Sequence, residues 1–217
     1  MTATEVRGPS RQRVVIVGVI VLAIVVAVVA YLLLRPSGLS PELQAVHDAT
    51  AQFEDAAAVE QAGYGELLDA EGIACIDHGD QGGMGIHYVH GDLVGDATLD
   101  PERPEAIIYQ PQESGSMALV GVEYVVFQKA WDAANDSPPT LFGQELIAVG
   151  ADNRYGIPAF YELHAWVWKD NPAGTFAEYT PDVTCEHADA MGHMHMSMDK
   201  PAEEATVSAP RPRLGGW

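Results

Sequence analysis

Positive charge is what this chain has least of. It holds 11 Lys and Arg against 31 Asp and Glu, a formal net charge of −20 with neutral histidines. The shortage deepens along the chain. Arg7, Arg11, Arg13 and Arg35 all fall in the first 35 residues, which leaves seven Lys/Arg against 30 Asp/Glu for the rest. A surface of that sign repels phosphate backbones and anionic lipid headgroups, so nucleic acid is excluded as a partner. Solubility explains the acid excess first. The same excess raises the local concentration of metal cations without choosing among them.

Cysteine is nearly as scarce. There are two, Cys75 and Cys185, and they lack the C-x-x-C spacing of a local thiolate metal site. In an oxidising compartment such a pair is expected as a disulfide. It would close a loop of about 110 residues and stabilise by about 3–5 kcal/mol on the chain-entropy view. Two thiolate ligands are the alternative. Familiar catalytic signatures are missing too: no P-loop, G-x-G-x-x-G, G-x-S-x-G, H-E-x-x-H or EF-hand pattern occurs. Gly82-Gly83-Met84-Gly85 fits none of them. It reads as a tight segment where another backbone passes close, with Met84 as core. Asp77 and His78 could add metal ligands, though a turn beside the cysteine explains them equally. There is no internal repeat.

Charge is wholly absent from Val14 to Leu34, a run of 21 residues broken only by Gly18 and Tyr31. At about 1.5 Å per residue this run crosses a hydrocarbon core of roughly 30 Å. The arginines before it place residues 1–13 in the cytoplasm and everything after Arg35 outside. A cleaved signal peptide, cut near Val28-Val29-Ala30, is the competing reading. The apolar run continues past that point through Leu34, which favours a retained single-pass anchor in the cell membrane, with the bilayer as its partner. No cysteine follows the run, as a lipid anchor would need.

What the chain does have is soft-ligand density near its C-terminus. Met191-Gly-His193-Met194-His195-Met196-Ser-Met198 holds four of the seven methionines and two of the eight histidines, and His187 lies just before it. Thioethers suit Cu(I) and imidazoles hold Cu(II), so His187, Met191, His193, Met194, His195, Met196 and Met198 form a candidate copper site. A compositionally biased tail with incidental His and Met is the alternative. Residues 186–217 otherwise mix acid and proline and read as a flexible tail.

Between anchor and tail, residues 35–185 carry the pattern of one α+β domain. Ser40 can cap a helix, Pro41 fits its first position and Glu42 suits its positive end. Leu43, Val46, Thr50, Phe53 and Ala57 then recur on one face, and Gly63 and Gly65 should end this helix or a short successor. Strand signals follow at Gly85–His90, Ala106–Tyr109, Ala118–Phe127, Glu145–Val149 and Ala159–Trp168, with a hairpin turn expected at Glu113–Ser116. The expected architecture is one helix leading a mostly antiparallel sheet. Within those strands, His87, Glu123, Glu162 and His164 form a second candidate cluster. On the last strand the two-residue period places Phe160, Glu162, His164, Trp166 and Trp168 on one face. Buried carboxylates are rare unless paired or metal-bound, so this set reads as a metal site or acid/base pair, or as a hydrogen-bonded network that fixes the sheet.

The blocks Gly82–Tyr88, Val122–Phe127, Leu141–Gln144, Leu163–Trp168 and Asn171–Phe176, with Cys185 at the end, resemble a group of uncharacterised exported bacterial proteins. The resemblance spans about residues 43–185 and leaves out the anchor and the Met/His segment. It implies one exported domain and carries no activity. Three functional readings follow. The leading one is a membrane-anchored extracytoplasmic metal-binding protein, with copper as its cofactor, for delivery or protection. The others are an accessory subunit docked beside a membrane-protein partner, and an enzyme that uses the Glu/His cluster.

Overall fold

The computed structural model describes residues 38–188 together with Ile20 and Ile24, which are helical and exposed. The other positions of the expected span 14–34, the segment 1–13 and the copper candidates Met191, His193, Met194, His195, Met196 and Met198 lie outside the described residues. Among the described residues no helix is long and apolar enough to cross a membrane.

The folded unit begins at Ser40, whose hydroxyl accepts from the Leu43 N–H at 3.3 Å and starts helix α1 (Pro41–Thr50). Thr50 ends it by donating its hydroxyl back to the Val46 carbonyl at 2.8 Å. A 3-10 turn (Ala51–Glu54) follows, and Asp55 then caps α2 (Ala56–Gln61) by accepting from Ala57 N–H. Gly63 closes α2 in the left-handed region at φ +93°. The expected stripe is therefore right through Phe53 and wrong after it. The 3-10 turn resets the helical phase, so Val59 is buried and Ala57 is exposed.

Among the described residues nine strands follow: β1 (Gly65–Glu66), β2 (Cys75–Asp77), β3 (Gly83–Val89), β4 (Ala106–Pro111), β5 (Met117–Phe127), β6 (Thr140–Leu141), β7 (Gln144–Glu145), β8 (Ile147–Val149) and β9 (Phe160–Ala165). Short helices α3 (Gly91–Gly95) and α4 (Gln128–Asp132) follow β3 and β5. The main sheet runs β1-β3-β4-β5-β9-β8, with β2 also on β3, and every pairing is antiparallel. The fold is thus α+β with a mostly antiparallel sheet. The β4–β5 hairpin turns at Gln112–Ser116 as expected. The expected Glu145–Val149 strand is split by the buried Leu146 into β7, which pairs only with β6, and β8 on the main sheet.

Helices α1 and α2 and the 3-10 turn cover one face of the sheet. Tyr109 donates to the Phe53 carbonyl at 2.7 Å, and Trp168 donates to the Thr50 hydroxyl at 2.9 Å while stacking on His47. Trp168 therefore does not share a face with His164. The strand ends at Ala165, where a tight bond from Val167 N–H to the Ala165 carbonyl breaks the two-residue period.

Loops, α3 and the last of the described residues cover the other face. Cys75 and Cys185 form a disulfide, with Cα atoms 5.7 Å apart, that ties the closing segment to β2. Next to it the chain runs back along β3, where Gly83 and Thr180 bridge. A Cβ on Gly83 would sit 2.8 Å from the Val183 carbonyl, so the glycine-rich segment is where another backbone passes close. Val183 packs there with Ile108, Val120 and Trp166.

Candidate metal centre

The strand register lines up the site. Glu123 on β5 lies directly opposite His164 on β9 and Ala106 on β4. Glu162 is opposite Val125, hence one step diagonal to Glu123 on the same face. His87 on β3 is opposite Ile108, and Ile108 is opposite Gly121. All four polar residues therefore point to the face away from α1 and α2. Ala106 and Gly121 are the small residues of this part of the face. A Cβ on Gly121 would sit 3.0 Å from the Ala165 carbonyl, so that glycine gives room to the end of β9.

The side chains converge. His87 Nε2 is 3.3 Å from His164 Nε2 and 3.6 Å from Glu123 Oε2. Ligand atoms from His87, Glu123 and His164 all lie within 4.8 Å of one another. The four residues keep only 1–7% of their surface exposed. Apolar packing flanks them on both sides, Ile108, Trp166 and Val183 on one and Val94, Val125 and Phe160 on the other. The Trp166 ring lies nearly parallel to the His164 ring at 6.1 Å.

Burial sets the charge states. It pushes His87 down to about 4, with the positive charge of Arg154 adding to the effect. It holds His164 well below the ordinary imidazole range, with His87 contributing. Both rings are thus neutral with lone pairs available at pH 7. Burial raises Glu123 well above the usual carboxylate range, and neighbouring Glu162 adds to that. Glu162 is itself raised to about 7, chiefly by burial. Two buried carboxyls this close do not both ionise unless a positive charge joins them. His87 Nδ1 is buried and has no hydrogen-bond partner among the described residues.

The donor spacing fits a metal. Bonds of about 2.0–2.1 Å to four tetrahedral ligands put the ligand atoms about 3.3–3.4 Å apart. Two edges of this triangle, 3.3 and 3.6 Å, are close to that figure, and the Glu123–His164 edge is longer, within 4.8 Å. Two imidazoles and a carboxylate also make up ligand sets used by zinc and by non-haem iron.

An apolar cavity of about 200 Å³ reaches Glu123 from the side of α3. Val89, Val94, Val125, Phe127 and Phe160 line it, with Tyr155 and Ile157 from the loop before β9. Asn153 organises that loop by donating to the Gly150 and Ile157 carbonyls and accepting from the Tyr155 and Ile157 N–H groups. Arg154 fastens it across to Asp69 at 2.7 Å.

The structure thus brings together His87, Glu123, Glu162 and His164. It leaves His78 apart, in an exposed turn with Gln81 and Asp80. His187, the one copper candidate within the described residues, is partly buried beyond Cys185. Tyr155, Arg154 and Asn153 were not legible as site residues, because a loop leaves no periodicity to read. No family model, curated protein or solved structure matches the chain.

Proposed function

We propose that this is an extracytoplasmic metal-binding protein whose centre is His87, Glu123 and His164, with Glu162 holding Glu123 in place. The observation that carries the reading is the buried donor triangle, with its 3.3 and 3.6 Å edges. Charge supports it: a divalent ion joined by two carboxylates and two neutral imidazoles is electrically neutral, which suits a buried site. The ligand set is borderline in softness and has no sulfur, so zinc or ferrous iron suits it better than Cu(I). The Cys75–Cys185 disulfide supports a compartment outside the cytoplasm. A retained anchor over 14–34 belongs to the same reading and rests on the apolar run and its arginine flank.

Metal analysis of the purified full-length chain tests this. One zinc or iron per chain is expected after reconstitution and removal of loose metal. His87→Ala and His164→Ala should each weaken binding by more than the roughly 10–100-fold that loss of an outer partner costs, and Glu162→Gln by about that amount. Wild-type affinity in a folded His164→Ala protein would overturn the centre. Copper at the Met/His segment is a separate proposal resting on composition. Replacing Met191, Met194, Met196 and Met198 by Leu should weaken Cu(I) binding and leave the buried centre loaded. Unchanged Cu(I) affinity would remove the methionines as ligands.

A further inference from the structure

The cavity above Glu123 is not needed to hold a metal. It is too large for an ion, and its wall is almost entirely hydrocarbon. We propose that it is a binding site for a small neutral molecule with an apolar body of about eight heavy atoms and one hydroxyl, the hydroxyl directed at the Glu123 carboxyl.

Size sets the body. A dry cavity of about 150 Å³ takes benzene, with its six carbons. Scaled to about 200 Å³, the occupant has about eight heavy atoms. Shape and chemistry agree. Val94, Val125 and Phe160 pack together beside Phe127, Tyr155 and Ile157, giving aromatic and branched walls on several sides. A convergent polar group in an otherwise apolar pocket is the usual arrangement of a small-molecule site, because it fixes which end of the ligand goes in. Glu123 is that group here. It is 5% exposed, it lines the cavity, and its Oε2 faces His87 on the far side.

Charge restricts the occupant further. An anion would meet Glu123 and Glu162 together and would first have to approach a protein of net charge −20. A cation would lose its hydration against hydrocarbon walls. A neutral hydroxyl meets neither cost and supplies one hydrogen bond.

The test uses p-cresol, which has eight heavy atoms and one hydroxyl, beside p-xylene, which replaces the hydroxyl by a methyl group. Binding to the full-length protein is measured by calorimetry and placed by NMR, once in chelator and once with stoichiometric zinc. Saturable p-cresol binding is expected, with intermolecular contacts to the Val94 and Val125 methyls. p-Cresol should bind about tenfold more tightly than p-xylene, the worth of one net hydrogen bond. Glu123→Leu should bring that ratio close to one. No saturable p-cresol binding in either condition, or contacts away from Val94 and Val125, would overturn the site. Equal affinity for the two probes in the wild type would overturn the role of Glu123. Tighter binding of 4-methylbenzylammonium than of p-cresol would overturn the neutral assignment. A protein that takes no metal but binds p-cresol at Val94 and Val125 would keep this inference and sink the metal centre. Zinc bound without p-cresol would do the reverse.

Discussion

The two faces of the sheet bury polar groups in opposite ways. On the helix face the aromatic tips are matched to the fixed frame. Tyr64, Tyr109 and Tyr124 donate to the carbonyls of Pro104, Phe53 and Pro101 at 2.6–2.8 Å, and Trp168 donates to Thr50. The Tyr109 and Tyr124 bonds lock the 3-10 turn and a loop to the sheet. On the other face His87, Glu123, Glu162 and His164 face one another, and His87 Nδ1, like His90 Nδ1 beside Tyr64, has no partner among the described residues. Stability alone would favour the first pattern, because a buried polar group without a full set of partners costs free energy. A face that keeps the second pattern has its donors arranged around a common point, which is what a ligand needs.

The largest way to disturb this contrast is the disulfide. Cys185 holds the closing segment against β2, and that segment carries Val183 and Thr180 onto the site face. Replacing Cys75 and Cys185 together by Ser should cost about 3–5 kcal/mol, as expected for so long a loop. Urea unfolding measures the total. Amide exchange should show the site face opening more than the helix face. Uniform loss across both would mean the disulfide does not favour either side.

A second test works through pH on the helix face. Glu105 is buried, accepts from the Val125 N–H at 3.1 Å, and is pushed up to about 8 by burial. Its folded pKa is above its ordinary value near 4.5, so the folded state binds the proton more tightly than the unfolded chain. Its contribution is full below pH 4.5 and is lost as pH rises through 8. Glu105→Gln keeps an oxygen for Val125 and removes the titration. The variant should gain on the wild type between pH 5 and 9, by an amount on the order of a few kcal/mol. Parallel urea midpoints across that range would show that Glu105 does not titrate there.

Much of this was legible in the sequence. Ser40, Pro41 and Glu42 announce α1, and the strands β3, β4, β5 and β9 sit where the apolar runs are. Parity alone predicts that Glu162 and His164 share a face and that Glu123 joins Val125 and Phe127. Register is what parity cannot supply. Nothing local says that Glu123 pairs with His164, nor that His87, two strands from Glu123, comes within reach of both. Trp168 and Ala57 were misplaced because a γ-like turn and a 3-10 turn each break a period that a pattern assumes to continue. Glu105 had one available signal, a carboxyl flush against the apolar run Ala106–Tyr109.

A smaller change sharpens the helix face. Tyr109→Phe removes one hydroxyl and strands the Phe53 carbonyl. The expected cost is about 1–2 kcal/mol in chemical unfolding, since the ring and its packing on Tyr88 remain. The Phe53 carbonyl cannot be deleted, so no second substitution restores the loss. An unchanged midpoint would mean that the carbonyl finds water when the hydroxyl leaves.

The smallest expected change in stability is the most informative, because the site face permits what the helix face forbids. Its polar groups are all side chains and can be removed as a set. Glu123→Leu alone should cost about 1–3 kcal/mol, since it leaves His87 and Glu162 buried with one partner fewer. Adding His87→Leu, His164→Phe and Glu162→Met replaces every member by an apolar residue of similar bulk. The cost should then fall to within about 1 kcal/mol of the wild type, or turn into a gain, as it does when whole buried charge networks are exchanged for hydrocarbon. Metal binding should be gone from the fourfold variant even though the fold is intact. That pairing of restored stability with lost binding separates a ligand site from a network that fixes the sheet. If the fourfold variant is instead destabilised by more than the sum of its single changes, the four side chains hold the sheet together, and their convergence has a structural cause.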